Sequence, residues 1–278
     1  MSANILYVSS MVHPYISDAG IIGETTRFLP QQIQEQGMQV RIFMPRYGVI
    51  NERRGQLHEV IRLSGMNLII AGSDHQLIIK VASISGARLQ VYFIDNEEYF
   101  SRKSLLREGE QETFMEDNDR RALFFSRGTL ETVKKLRWAP ELVHTHGWFS
   151  ALTPLYIRKV YKNDPIFAKS KIVISLYNDD FTETLDATLA AKLKKEGMKF
   201  AEGTTSMEEP TYENLMRLAI EHCDGVVVAS QGVNPAMIEF AKSKGVPVLE
   251  AIPSSEIEIE KQNLAALYKP FYDEILSK

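Results

Sequence analysis

Short apolar runs alternate with longer stretches of helical spacing along this chain, and that alternation sets the expected fold. Asn4–Ser10 is an apolar run ending in small polar residues, the pattern of a buried parallel strand. A loop holding Pro14 and Gly20 follows, then a helix through Glu24–Ile33 that Gly37 is placed to end. Gln39–Met44 is the next strand, stopped by Pro45. A strand, a helix and a strand within about 45 residues predict a right-handed crossover in a doubly wound sheet.

From Glu59 to Asp95 the pattern changes. Val60–Leu63, Leu68–Ile70, Leu77–Val81 and Leu89–Ile94 are short strand candidates, and Gly65, Gly72 and Gly86 punctuate them as in hairpins. A charged loop runs from Ser101 to Asp117. A long helix is expected from Asn118 to Leu136, where Ala122, Phe125, Leu130 and Val133 fall near helical spacing. Glu141–His146, Lys171–Leu176, Gly225–Ala229 and Val246–Ile252 read as further strands, and Leu215–His222, Asn234–Lys244 and Ile257–Leu276 as helices. Residues 181–210 are polar and read as a flexible excursion, with Lys192, Lys194, Lys195 and Lys199 on a solvated face. The prediction is an α/β fold: a single Rossmann-like, doubly wound, mostly parallel sheet with a β-hairpin insertion, one domain over residues 1–278.

Composition then narrows the classes of function. Apolar residues make up 44% and charged residues 24% of the 278, as in ordinary globular proteins, and the net charge is -4. No basic stripe interleaves with aromatics, so nucleic acid is not an expected partner. The apolar run Ile5–Ser9 is too short for a signal peptide or a membrane span, so the expectation is a cytoplasmic protein without a membrane partner. Cys223 is the single cysteine and excludes an internal disulfide.

Four stretches, in order, resemble the N-terminal domain of bacterial glycogen and starch synthases. Residues 6–14, LYVSSMVHP, resemble that family's LFVSSEVAP, and residues 36–48, QGMQVRIFMPRYG, its GHDVRVVLPRYG. Residues 117–127, DNDRRALFFSR, resemble DNAERFALFSR, and residues 138–148, WAPELVHTHGW, resemble WKPDIVHAHDW. Ala219–Asn234 is a weaker fifth match, so the resemblance covers roughly residues 4 to 240. It implies the N-terminal half of a GT-B fold, in which two Rossmann-like domains face each other across a cleft. One holds the growing α-1,4-glucan, the other ADP-glucose or UDP-glucose, and glucose is transferred with retention of configuration. No cofactor is expected.

A neutral, hydroxyl-covered acceptor calls for short polar side chains at strand ends, backed by aromatics. Asp117, Asn118, His144, His146 and Trp148 are such residues. His144 and His146 lie two apart on a predicted strand and so share a face. The resemblance sets a histidine of this motif against the transferred glucose, and His146 and Asp117 are the candidate catalytic residues. The bland alternatives are a pair of partly buried histidines satisfied by backbone, and an N-cap role for Asp117. A metal is not expected, since a lone His-x-His without a nearby cysteine is thin evidence for one. Arg46 and Tyr47 stand just past a strand, where they either reach a cleft or form a packed turn.

The chain also departs from the family. The stretch that reads KTGGLGD there is SDAGIIG here, with Ser17 at the lysine position, acidic Asp18 beside it and Gly20 kept. Losing a cation and gaining an anion works against a leaving diphosphate. The HDW motif has become His146-Gly147-Trp148, and TIHN has become Ser175-Leu176-Tyr177-Asn178, so a tyrosine replaces the histidine. Ser17, Gly20, Tyr177 and Asn178 complete the candidate substrate-binding set. The donor-binding C-terminal domain is expected to be absent. Two classes of function follow: a glucosyltransferase domain that is incomplete or non-catalytic alone, or a glucan-binding or regulatory protein. One half of a split enzyme is a third. A separate donor half or a second copy of the chain would dock on an exposed apolar patch.

Overall fold

The computed structural model describes residues 3–253 and 259–278. Its strands are β1 (Asn4–Ser9), β2 (Gln39–Pro45), β3 (His58–Glu59), β4 (Met66–Ile70), β5 (Ser73–Ile84), β6 (Leu89–Asp95), β7 (Arg107–Glu108), β8 (Thr113–Phe114), β9 (Leu142–His146), β10 (Lys171–Leu176), β11 (Gly225–Val228) and β12 (Val248–Glu250). The α-helices are α1 (Gly20–Glu35), α2 (Glu97–Phe100), α3 (Asn118–Lys135), α4 (Leu152–Leu155), α5 (Leu189–Lys195), α6 (Tyr212–Ile220), α7 (Pro235–Ser243) and α8 (Leu264–Ser277). The main sheet runs β12-β11-β10-β9-β1-β2-β6-β5-β3, with β4 paired to β5. Every pairing from β12 across to β6 is parallel; β3, β4 and β5 are antiparallel additions. This is the doubly wound, mostly parallel Rossmann-like sheet with hairpin insertion that the pattern predicts.

The central strands are apolar on both faces because helices cover both. Ile5, Leu6, Tyr7 and Val8 of β1 have no exposed surface. The pleat and the register put Tyr7, Ser9, His144, His146 and Ser175 on one face. There α1 packs on α8, and the Tyr272 hydroxyl of α8 lies 3.2 Å from that of Tyr7. The opposite face carries α3, where a Cβ on Gly128 would come within 3.1 Å of Ile94 and Leu77 side chains. The β4–β5 hairpin closes through Ala71 and Gly72, both at positive φ (54° and 97°), the backbone that a two-residue turn between twisted strands requires.

The structure corrects the prediction in four places. Val60–Leu63 is a turn, not a strand: the Leu63 N–H donates to the Val60 carbonyl, Ile61 is exposed, and the strand is His58–Glu59. Residues 181–210 are packed, with Phe181, Leu185, Leu189, Leu193, Met198 and Met207 buried, and they include α5. Lys192 is not on a solvated face. Its ammonium donates to Asp119 at 2.5 Å and lies 3.3 Å from Asp186. The closing helix begins at Leu264, capped by the Asn263 side chain, after a 3-10 turn at Ile259–Lys261; residues 257 and 258 of the predicted span lie outside the described residues. Among the described residues no helix is long and apolar enough to cross a membrane.

Candidate functional site

The chain leaves β1 toward β2 on one side and later crosses through α3 to β9 on the other, so the carboxyl ends of β1 and β9 flank a topological switch point, where ligands bind in open α/β sheets. A cavity of about 510 Å³ opens there. Ser10 and Met11 after β1, Tyr47 and Val49 after β2, Trp148 after β9, and Asp179–Phe181 after β10 line it together with the β7–β8 hairpin. Three rings form an aromatic wall: Phe114 lies 5.0 Å from Phe181 and 5.8 Å from Trp148, and Trp148 lies 4.8 Å from Phe181. The hairpin is tied across the cavity by Arg107, which donates to both Glu183 oxygens at 2.6 and 2.8 Å. That forked contact holds the Glu183 carboxyl down at about 2.

The charged lining is mostly acidic. Glu108, Glu112, Asp179 and Asp180 face it, against Lys103 and the already paired Arg107. Asp179 accepts from the Trp148 backbone N–H at 2.8 Å and from the Tyr212 hydroxyl at 3.3 Å. Burial pushes its carboxyl up to about 7, with the neighbouring Asp180 charge adding to the shift. Tyr47 is buried, and its hydroxyl makes no hydrogen bond among the described residues.

Of the residues that sequence reasoning selected, Trp148 lines the cavity. His144 and His146 lie behind it, fully buried, their rings 4.0 Å apart. The His144 ring bonds the Tyr272 hydroxyl at 2.6 Å and the Ser175 hydroxyl at 2.8 Å, and His146 Nδ1 bonds the Tyr177 hydroxyl at 2.7 Å. Their partners are thus side chains rather than backbone. His146 Nε2 has no partner, and burial lowers both histidines, His146 to about 3, so both are neutral at pH 7.

Asp117 occupies the N-cap position of α3, but its side chain does not cap the helix. It accepts from Arg102 at 2.5 Å. Asn118 donates to the Leu106 carbonyl at 2.8 Å and accepts from the fully buried Arg121 at 2.7 Å. Asp117 and Asn118 therefore hold the 102–106 loop that walls the cavity. Tyr177 is buried, and Asn178 is exposed beside Gly232. Ser17 faces a second depression with His13, Tyr15 and Arg54, and Gly20 opens α1 at φ +52°. Among exposed large hydrophobics of the described residues, Val49 alone borders the cavity, with Met11, Leu105, Leu106 and Phe114 partly exposed in its lining. No His/Cys/Asp/Glu group among the described residues could hold a metal.

Sequence reasoning missed Asp179, Phe114, Phe181 and Tyr212. The paired aspartates directly after a buried strand, at Asn178-Asp179-Asp180, were the available signal.

Fold and site together define one Rossmann-like half of a sugar-transferring GT-B architecture. The starch synthase catalytic domain family model matches residues 4–244. Glycogen synthase of Chlorobium limicola is 34% identical over 174 residues, covering 63% of this chain and 35% of that protein. Glycogen synthase of Chlorobium phaeobacteroides is 31% identical over 227 residues, covering 82% of this chain and 45% of its own. The catalytic domain of starch synthase IV from Arabidopsis thaliana, solved bound to ADP and acarbose, superposes with a TM-score of 0.73 at 17% identity, over 93% of this chain and 53% of that one. The chain belongs to the starch synthase catalytic domain family, the glycogen and starch synthase type of glycosyltransferase. It spans less than half the length of these glycogen synthases.

Proposed function

We propose that this chain is the acceptor-side domain of the family, that it holds an α-1,4-glucan in the cavity at the switch point, and that it does not transfer glucose by itself. The observation that carries this reading is the lining: an aromatic wall of Phe114, Trp148 and Phe181 with carboxylates beside it. A sugar ring offers an apolar face to the rings and hydroxyl donors to the carboxylates. A nucleotide diphosphate would instead meet four acidic residues and a single uncommitted lysine, Lys103, which disfavours it. That the Arabidopsis catalytic domain, of matching fold, was solved bound to ADP and acarbose supports this reading. Here the donor, ADP-glucose or UDP-glucose, would be held by a second Rossmann-like half, whether carried on a separate chain or on a longer form of this one.

The test is co-sedimentation with glycogen, alongside incorporation of labelled glucose from ADP-glucose and from UDP-glucose. Retention on glycogen without incorporation is expected. Incorporation by these 278 residues would overturn the non-catalytic part of the reading, and failure to sediment would overturn the glucan part.

A further inference from the structure

The departure from HDW to His146-Gly147-Trp148 leaves a space, and the structure fills it. Gly147 sits at φ +76°, a conformation that side chains rarely adopt. A Cβ built there would stand 2.8 Å from Asp179 Oδ2 and 3.2 Å from the Ile22 side chain. The carboxylate of Asp179, carried by the loop after β10, therefore occupies the space into which a side chain at position 147 would extend. It takes the Trp148 N–H as its anchor.

We infer that Asp179 is a sugar-binding residue of this cavity, a carboxylate supplied from β10 at the place where position 147 of the relatives' motif carries an aspartate, and that it accepts hydrogen bonds from a vicinal pair of glucan hydroxyls. The inference rests on the glucan reading above. Four observations on the molecule support it. Asp179 lines the cavity and is half-buried. Each of its oxygens accepts one hydrogen bond inside the protein, from Trp148 and from Tyr212, which leaves each with further acceptor capacity. No cation among the described residues pairs with it, and burial raises it to about 7, the mark of a charged group held ready for donors that these residues do not supply. Tyr47, whose buried hydroxyl has no partner among the described residues, borders the same cavity. Hydroxyl-to-carboxylate bonds are short and charge-assisted, so two of them suit a neutral polyol and exclude an anion.

The experiment is calorimetric titration of the whole chain with maltoheptaose at pH 8, where the carboxylate is ionised, on the wild type and on Asp179→Asn. Asparagine keeps an acceptor for the Trp148 N–H. The expected result is at least a tenfold weaker affinity in D179N with a Tm above that of the wild type. Wild-type binding with D179N within twofold of it would overturn the inference and leave the glucan reading standing. No wild-type binding of maltoheptaose would overturn the glucan reading, and this inference with it. Mono-deoxy maltoses titrated into the unaltered protein keep the inference open to refutation should D179N not fold. Two adjacent deoxy positions should each lose affinity about tenfold or more, and an even, small loss at every position would overturn the inference.

Discussion

Two polar clusters stand at the ends of neighbouring strands and have opposite characters. Behind the cavity, His144 and His146 are sealed with Tyr7, Tyr177 and Tyr272, neutral and almost fully hydrogen-bonded. In front, Asp179 borders open volume, with no cation to balance it. The first cluster organises the core, while the second is held at a cost in stability. Histidines next to a cavity therefore need not be what a ligand touches, and an uncompensated carboxyl is the better guide to where a ligand goes.

The contrast breaks most visibly at His144. His144→Ala opens a cavity and removes a hydrogen-bond partner from each of the Tyr272 and Ser175 hydroxyls, so a loss of about 3–4 kcal/mol is expected. That corresponds to a Tm lower by roughly 6–15 °C for a chain of this size, read by thermal unfolding. Affinity for maltoheptaose in the folded fraction should be unchanged.

Acid separates the two clusters by sign. His146 is depressed to about 3, so its stability contribution is present above pH 6.5 and lost as pH falls toward 3. By pH 4 the loss from His146 amounts to roughly 3 kcal/mol. Asp179 is raised to about 7, so its penalty is present above pH 7 and relieved as pH falls toward 4. Urea unfolding between pH 4 and 8 should show a shallower acid limb in His146→Phe and a steeper one in D179N.

At pH 8, D179N should be more stable than the wild type by about 1–2 kcal/mol, less than a full conversion of the shift because the group is partly solvated. Equal or lower stability there would erase the contrast between the clusters. The smallest effect is expected at the hairpin tether. Arg107 and Glu183 are each about a third exposed, so Arg107→Gln should cost only about 0.5 kcal/mol while increasing proteolysis near residues 107–114.

Much of the fold was legible because a parallel sheet writes itself as continuous apolar runs, as in Ile5–Val8 and Ile172–Leu176, and because Gly72 and Gly86 mark real turns. The Val60–Leu63 run misled because an apolar tetrapeptide can close a turn as well as pair, and the turn hydrogen bond from Leu63 to Val60 decided it. The 181–210 stretch hid its core contacts because its buried residues are spaced irregularly between charges. At the site, Trp148 was readable from its motif. The burial of His144 was not, because its neighbours Tyr268 and Tyr272 come from a helix more than 100 positions away. Asp179 was invisible for a related reason: its meaning depends on its filling the space beside Gly147, which only the backbone path reveals.

The seal on the histidine cluster also has a consequence in time. Tyr7 and the Tyr272 that bonds it are 265 residues apart. At ribosomal rates of about 5–20 residues per second, roughly 13–53 s separate their synthesis. Through that interval β1, joined about halfway by β9, carries polar groups whose α8 partner does not yet exist. The middle of the sheet is thus finished last, by α8, and an emerging chain exposes that unfinished centre to chaperones until the helix leaves the tunnel.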